Sequence, residues 1–149
     1  MIYLGADHRG FLLKEKVKEL LRSLSLDVTD LGSDKIVPDD DYPLISFKLA
    51  QSVVKKNGDL GILICGSGAG ACLSANKIKG SRATIGFSPR QIMAARTEDN
   101  INILCLSANH LDESQNLEIV SSFLESRFAA EDRQIRRLKQ ITDYESQTS

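Results

Sequence analysis

Short apolar runs alternate along the whole chain with stretches in which apolar residues recur every three or four positions. Ile2–Ala6 reads as a buried strand. Leu13, Val17, Leu20, Leu21 and Leu24 then recur at helical spacing, with Lys14, Glu15, Lys18 and Glu19 between them. Leu26 and Val28, alternating with Asp27, Thr29 and Asp30, predict a half-exposed strand near a sheet edge. Residues 32–43 form a polar loop ending Asp39-Asp40-Asp41-Tyr42-Pro43, and a helix through Ile45, Leu49 and Val53 stops near Asn57-Gly58. Leu60–Ile64 is the clearest central strand; it runs into Cys65-Gly66-Ser67-Gly68-Ala69-Gly70 and a helix to about Lys77. Ala83–Gly86 is a fourth strand, and Ser88-Pro89 supply an N-cap and first residue for a helix to about Thr97. Ile103–Leu106 is a fifth strand. Leu117, Val120 and Leu124 line one further helix and Ile135, Leu138 and Ile141 the last, with Glu145–Ser149 expected to fray. Five strands separated by helices imply right-handed crossovers. The expectation is one α/β domain over residues 1–149, its five-stranded parallel sheet covered by helices on both faces.

A chain of 149 residues, 42% hydrophobic and 26% charged, suffices for one such domain without a metal or disulfide staple. A net charge of -1 argues against broad electrostatic capture of nucleic acid. Cys65, Cys72 and Cys105 are an odd number without the spacing of a disulfide scaffold or zinc site. The N-terminus does not read as a signal peptide, and no apolar run approaches the length of a membrane span. The expected home is a reducing cytoplasm.

In an open parallel sheet, ligands bind beyond the C-terminal ends of the strands. Two segments fall there: Asp7-His8-Arg9-Gly10 after the first strand and Cys65–Gly70 after the third. Gly66, Gly68 and Gly70 let the backbone approach a ligand and point N–H groups at it, which suits an anion. A dinucleotide fingerprint or P-loop reading fails in detail: the spacing is Gly-x-Gly-x-Gly, and no Gly-Lys-Ser/Thr closes the loop. A tight turn explains the glycines but not a thiol and a hydroxyl among them. Cys65 sits where a strand stops and a helix starts, a position that favours a thiolate. Cys105, inside a strand, and Cys72, on a helix, read instead as small buried hydrophobes. Arg133 and Arg137 are four apart and share a helix face, which spacing alone assigns to a solvated basic stripe. His110 reads as an ordinary surface residue.

Taken together, the chain resembles the ribose-5-phosphate isomerase B family, which includes allose and galactose 6-phosphate isomerases. The carrying segments are Asp7-His8-Arg9-Gly10-Phe11, Asp41-Tyr42-Pro43, Gly61–Gly70, Ala75-Asn76-Lys77-Ile78-Lys79-Gly80, and Arg133 with Arg137. The resemblance implies a Rossmann-like domain in carbohydrate metabolism (the pentose phosphate pathway), working without cofactor or metal. It implies an aldose–ketose isomerase of a phosphorylated sugar, ribose 5-phosphate first. It also implies a homodimer, or a dimer of such dimers, with active sites shared across the interface. By the same resemblance Cys65 is the base that removes the proton beside the carbonyl, Ser67 lies against the sugar oxygens, and the backbone of Gly66, Gly68, Ala69 and Gly70 holds the enediolate. Asp7, His8, Arg9, Tyr42, Asp99, Asn100, Arg133 and Arg137 become substrate ligands.

Three departures bear on that picture. Glu98, in Arg96-Thr97-Glu98-Asp99-Asn100, occupies the place of a histidine that opens the furanose ring in relatives. A carboxylate there would shuttle a proton but repel a phosphate. Ser107-Ala108-Asn109 lacks the arginine that relatives often carry, and Glu131-Asp132 replaces Gly-Gly before Arg133. A hexose 6-phosphate isomerase and a non-catalytic sugar-phosphate-binding subunit therefore remain open beside the leading reading.

Overall fold

In the computed structural model, which describes residues 1–147, the chain runs β1 (Ile2–Ala6), α1 (Phe11–Ser23), β2 (Val28–Asp30), α2 (Tyr42–Val53), β3 (Leu60–Cys65), α3 (Ala69–Ala75), β4 (Ala83–Ile85), α4 (Pro89–Asp99), β5 (Ile103–Ser107), α5 (Glu113–Glu125) and α6 (Asp132–Gln147). The five strands form one parallel sheet in the order β2-β1-β3-β5-β4. The long apolar runs lie at its centre and the short half-buried ones, β2 and β4, at its edges.

Alternation along the central strands sends side chains into two cores. Leu4, Ile62, Ile64, Leu104 and Leu106 pack with Leu13, Val17 and Leu21 of α1, Ile92 of α4, and Ile119, Val120 and Phe123 of α5. Leu63, Cys65, Ile103 and Cys105 point the other way, onto Leu49, Ala50 and Val53 of α2 and Ala71 and Ala75 of α3. Each fully buried aliphatic side chain contributes roughly 1.5–3 kcal/mol relative to exposure. A sheet buried on both faces is therefore the main source of stability.

Several boundaries differ from expectation. The helix after the polar loop begins at Tyr42, because Asp41 is extended and Pro43 suits the first turn. β3 includes Cys65 and β5 includes Ser107, each extended one residue by the Cys65–Ser107 pairing. α3 ends at Ala75 rather than near Lys77, since Asn76 turns back to bond both the N–H and the carbonyl of Ala83. Glu145–Gln147 are helical, not frayed, and the Glu145 carboxylate accepts the Gly80 N–H. Thr148 and Ser149 lie outside the described residues. Ser88 caps α4 as expected, accepting the Gln91 N–H.

Candidate active site

The chain leaves β1 toward β2 on one side and later takes β3 on the other, so the crevice between the C-terminal ends of β1 and β3 is the topological switch point. A cavity of about 550 Å³ opens there. Its walls come from Asp7, His8 and Arg9 after β1, from Asp39–Tyr42 ahead of and opening α2, and from Asn109 and His110 after β5. Cys65, Gly66, Ser67 and Gly70 complete it.

Cys65 ends β3 only 4% exposed, and its Sγ accepts the Gly68 N–H at 3.1 Å, which orients the sulfur. Gly68 makes that contact from the left-handed region (φ +78°), where a side chain would also crowd the Leu106 carbonyl. The Ser67 hydroxyl accepts the Ala69 N–H, leaving its own hydrogen for a ligand. The N–H groups of Ser67 and Gly70 make no hydrogen bond to protein among the described residues. The Cys65 carbonyl accepts from Ala108, while that of Gly66 accepts from Asn109 and the Ser107 hydroxyl, so this loop is pinned to the end of β5. The other thiols are placed differently. Cys105 is fully buried, and its hydrogen bond with Cys72, together with burial, pushes it well above the ordinary thiol range. Neither Cys105 nor Cys72 lines the cavity.

After β1, the buried carboxylate of Asp7 accepts the N–H groups of Arg9 and Gly10 through one oxygen, at 3.0 and 2.9 Å. Asp7 thus shapes the turn. His8 is held from the α2 side: Asp40 Oδ1 accepts its backbone N–H at 2.8 Å and lies 2.7 Å from its Nδ1. The Tyr42 ring lies against Gly70, which closes one end of the cavity.

Of the residues singled out in the sequence, Asp7, His8, Arg9, Tyr42, Cys65, Gly66, Ser67 and Gly70 converge on this cavity, with Gly68 and Ala69 behind it as loop and helix start. Glu98, Asp99, Asn100, Arg133 and Arg137 do not reach it within one chain. Helix α4 descends to the N-terminal ends of the strands, where the Asn102 carbonyl accepts the Gly61 N–H at the start of β3. From Gly61 to Cys65 the strand rises about 13 Å. Arg82 and Arg96 fix the turn there by donating to the Asn100 carbonyl and side-chain oxygen. The chain leading into α6 joins this end of α4, through Ala129 N–H to the Thr97 carbonyl. Arg133 is exposed there and donates from Nε to Glu131 at 2.9 Å.

Asp39, Asp40, Asn109 and His110 were missed by the sequence reading. His110 follows the C-terminal end of β5, so the placement rule that singled out Asp7 and Cys65 would have found it. The pairing of Asp40 with His8 spans 32 residues and left no trace in local pattern.

A ribose/galactose isomerase family model matches residues 2–141. The chain is 42% identical over 149 residues to the probable ribose-5-phosphate isomerase B of Mycoplasma genitalium, covering 99% of this chain and 97% of that one. It is 32% identical over 144 residues to the ribose-5-phosphate isomerase B of Mycobacterium tuberculosis, covering 97% of this chain and 89% of that one. The crystal structure of the Mycoplasma genitalium enzyme with bound ribulose-5-phosphate superposes with a TM-score of 0.95 at 41% identity, covering 99% and 97% of the two chains. The Clostridium thermocellum ribose-5-phosphate isomerase B superposes with a TM-score of 0.94 at 31% identity, covering 99% of both.

Proposed function

The chain belongs to the ribose/galactose isomerase family, and we propose that it interconverts ribose 5-phosphate and ribulose 5-phosphate through an enediolate, with Cys65 as the base. The observation that carries this reading is the Cys65 thiol in the switch-point cavity, beside backbone donors that no protein group uses. As a thiolate, Cys65 takes the proton from C2 of the open aldose. The electron pair forms the C1–C2 double bond and charge develops on O1. The N–H groups of Ser67 and Gly70 are the donors for that oxygen, and losing one such donor typically costs ~10²–10³-fold in rate. The proton then returns to C1, while the Ser67 hydroxyl passes a proton between O2 and O1. Positioned acid–base help of this kind contributes roughly 10²–10⁴-fold.

The phosphate needs cations that this cavity lacks. Asp7, Asp39, Asp40 and Asp41 border it against one arginine, Arg9, and two histidines. Arg133 and Arg137 of a second copy supply the charge in our reading, and Glu98, Asp99 and Asn100 of that copy close the site over the sugar. The two sets of residues lie beyond opposite ends of the strands in one chain, so one complete site takes two chains. Helix α6 supports this, since its Ile135, Ile141 and Tyr144 are all about half exposed or more. A homodimer follows, and three unpaired thiols suit a reducing cytoplasm.

The test is an aldose–ketose assay against pentose and hexose phosphates with a chelator present. Turnover centred on ribose 5-phosphate is expected. Binding of sugar phosphates with no isomerisation of any would reduce the chain to a non-catalytic binding subunit.

A further inference from the structure

An aldopentose phosphate with a free 4-hydroxyl exists mostly as a cyclic hemiacetal, and its C2 proton becomes acidic only once the ring opens to the aldehyde. Opening moves a proton from O1 to the ring oxygen, which calls for a group able to accept and then donate. The wall of the cavity holds one in an unusual setting. The His8 ring lies 2.7 Å from Asp40 Oδ1, and the same oxygen receives the His8 backbone N–H at 2.8 Å. A carboxylate only accepts, so the Nδ1 atom carries the proton and Nε2 is left as an acceptor. Nε2 has no protein partner among the described residues. Both side chains are about a quarter exposed, enough for a ligand to meet them. Other groups are placed differently: one Asp7 oxygen takes two backbone N–H groups, and Glu98 of the same chain lies beyond the opposite ends of the strands. The His110 ring, also on the cavity wall, has no hydrogen-bonded carboxylate among the described residues to fix its tautomer.

We propose that His8 opens the furanose ring, with Asp40 as the positioning residue that fixes its tautomer and orientation. The inference rests on the isomerase reading above. In the step, Nε2 takes the O1 proton as the C1–O4 bond breaks. The O1–H electron pair becomes the carbonyl π bond, and the C1–O4 pair goes to O4. The imidazolium then gives its Nε2 proton to O4, restoring the neutral ring and leaving the open aldehyde. Atoms and charge balance with no co-reactant.

Ring opening separates from isomerisation in a Cys65→Ala background, where exchange between the α and β anomers of ribose 5-phosphate is followed by magnetisation-transfer NMR. Cys65→Ala protein should speed that exchange over buffer. Adding His8→Gln should return it to the buffer rate, and adding Asp40→Ala should cut the catalysed part ~10-fold or more. Asp40→Asn should keep part of it, because an amide oxygen still accepts the Nδ1 proton. Affinity for ribulose 5-phosphate, whose phosphorylated 5-hydroxyl prevents furanose closure, should change far less in each variant than the exchange rate does, which separates positioning from damage to the fold. The proposal is overturned if Cys65→Ala does not speed exchange, if His8→Gln leaves the gain intact, or if only Glu98→Gln removes it. Isomerisation persisting in Cys65→Ala would instead overturn the role of Cys65, and the exchange arms would still decide that of His8.

Discussion

The Tyr42 ring rests directly on Gly70: a β-carbon at position 70 would come within 2.5 Å of Tyr42 Cζ. This contact sets how close the start of α2 comes to the loop after β3, and so the width of the cavity. Gly70→Ala should push the ring away and shift the first turn of α3, with a loss of about 10-fold or more in kcat/KM from misplacement alone. Tyr42→Ala in the same chain should restore part of what Gly70→Ala removes, because it takes away the clash. Additive losses in the double variant would show that the contact does not set the geometry.

Cys65→Ala should remove both isomerisation and solvent-proton exchange at C2 of the substrate, by ~10²-fold at least. Binding of sugar phosphate, measured by calorimetry, should change little, since the backbone donors and the walls of the cavity stay in place. Near-wild-type turnover would dismiss the thiol as base.

The proposed sharing of the site between two chains is tested by complementation. Cys65→Ala protein and Arg133→Ala/Arg137→Ala protein should each be inactive, the second through weak phosphate binding. Refolded together, half of the dimers are mixed and carry one intact site, so about a quarter of wild-type activity should return. A mixture that stays inactive would place both sets of residues in one chain's site, or the arginines outside it.

A second cluster, away from the site, governs acid stability. Lys14 is fully buried and donates to Asp30 at 2.6 Å and to the Ser33 carbonyl at 2.7 Å, while Lys18 reaches Asp30 at 2.6 Å. Burial works against the charge on Asp30, yet the two ammonium groups and the Gly32 N–H hold its carboxyl below the ordinary range. A depressed folded pKa gives stability that is fully present above the unfolded value, near pH 4, and lost as pH falls through the folded one. Denaturation midpoints should therefore drop below about pH 4, and Asp30→Asn should flatten that acid limb. At pH 7 the same substitution should cost up to about 3 kcal/mol, because it leaves the buried Lys14 ammonium only Glu15 and the Ser33 carbonyl as partners. An unchanged acid limb in Asp30→Asn would move the titration elsewhere.

Period and punctuation determined the order of elements. Leu60–Ile64 is apolar at every position but Gly61 because both faces of a central parallel strand are covered, whereas Asp27, Thr29 and Asp30 mark an edge. Strand ends were legible to within a residue, and with the rule that ligands bind beyond those ends they singled out Asp7–Arg9 and Cys65–Gly70. These are local properties, written in neighbouring residues. The tertiary structure alone decided what meets across long stretches of chain. It set β5 between β3 and β4, which carries Asn109 and His110 to the cavity wall, and it laid the Asp40 carboxylate on His8 and the Tyr42 ring on Gly70. It also parted Glu98–Asn100 from Cys65, because a helix that joins two parallel strands leaves from their C-terminal ends and returns to their N-terminal ends. Linear order cannot show this. Pairing of distant segments depends on how whole faces bury against each other, an energy summed over the sheet and its helices rather than held in any one motif.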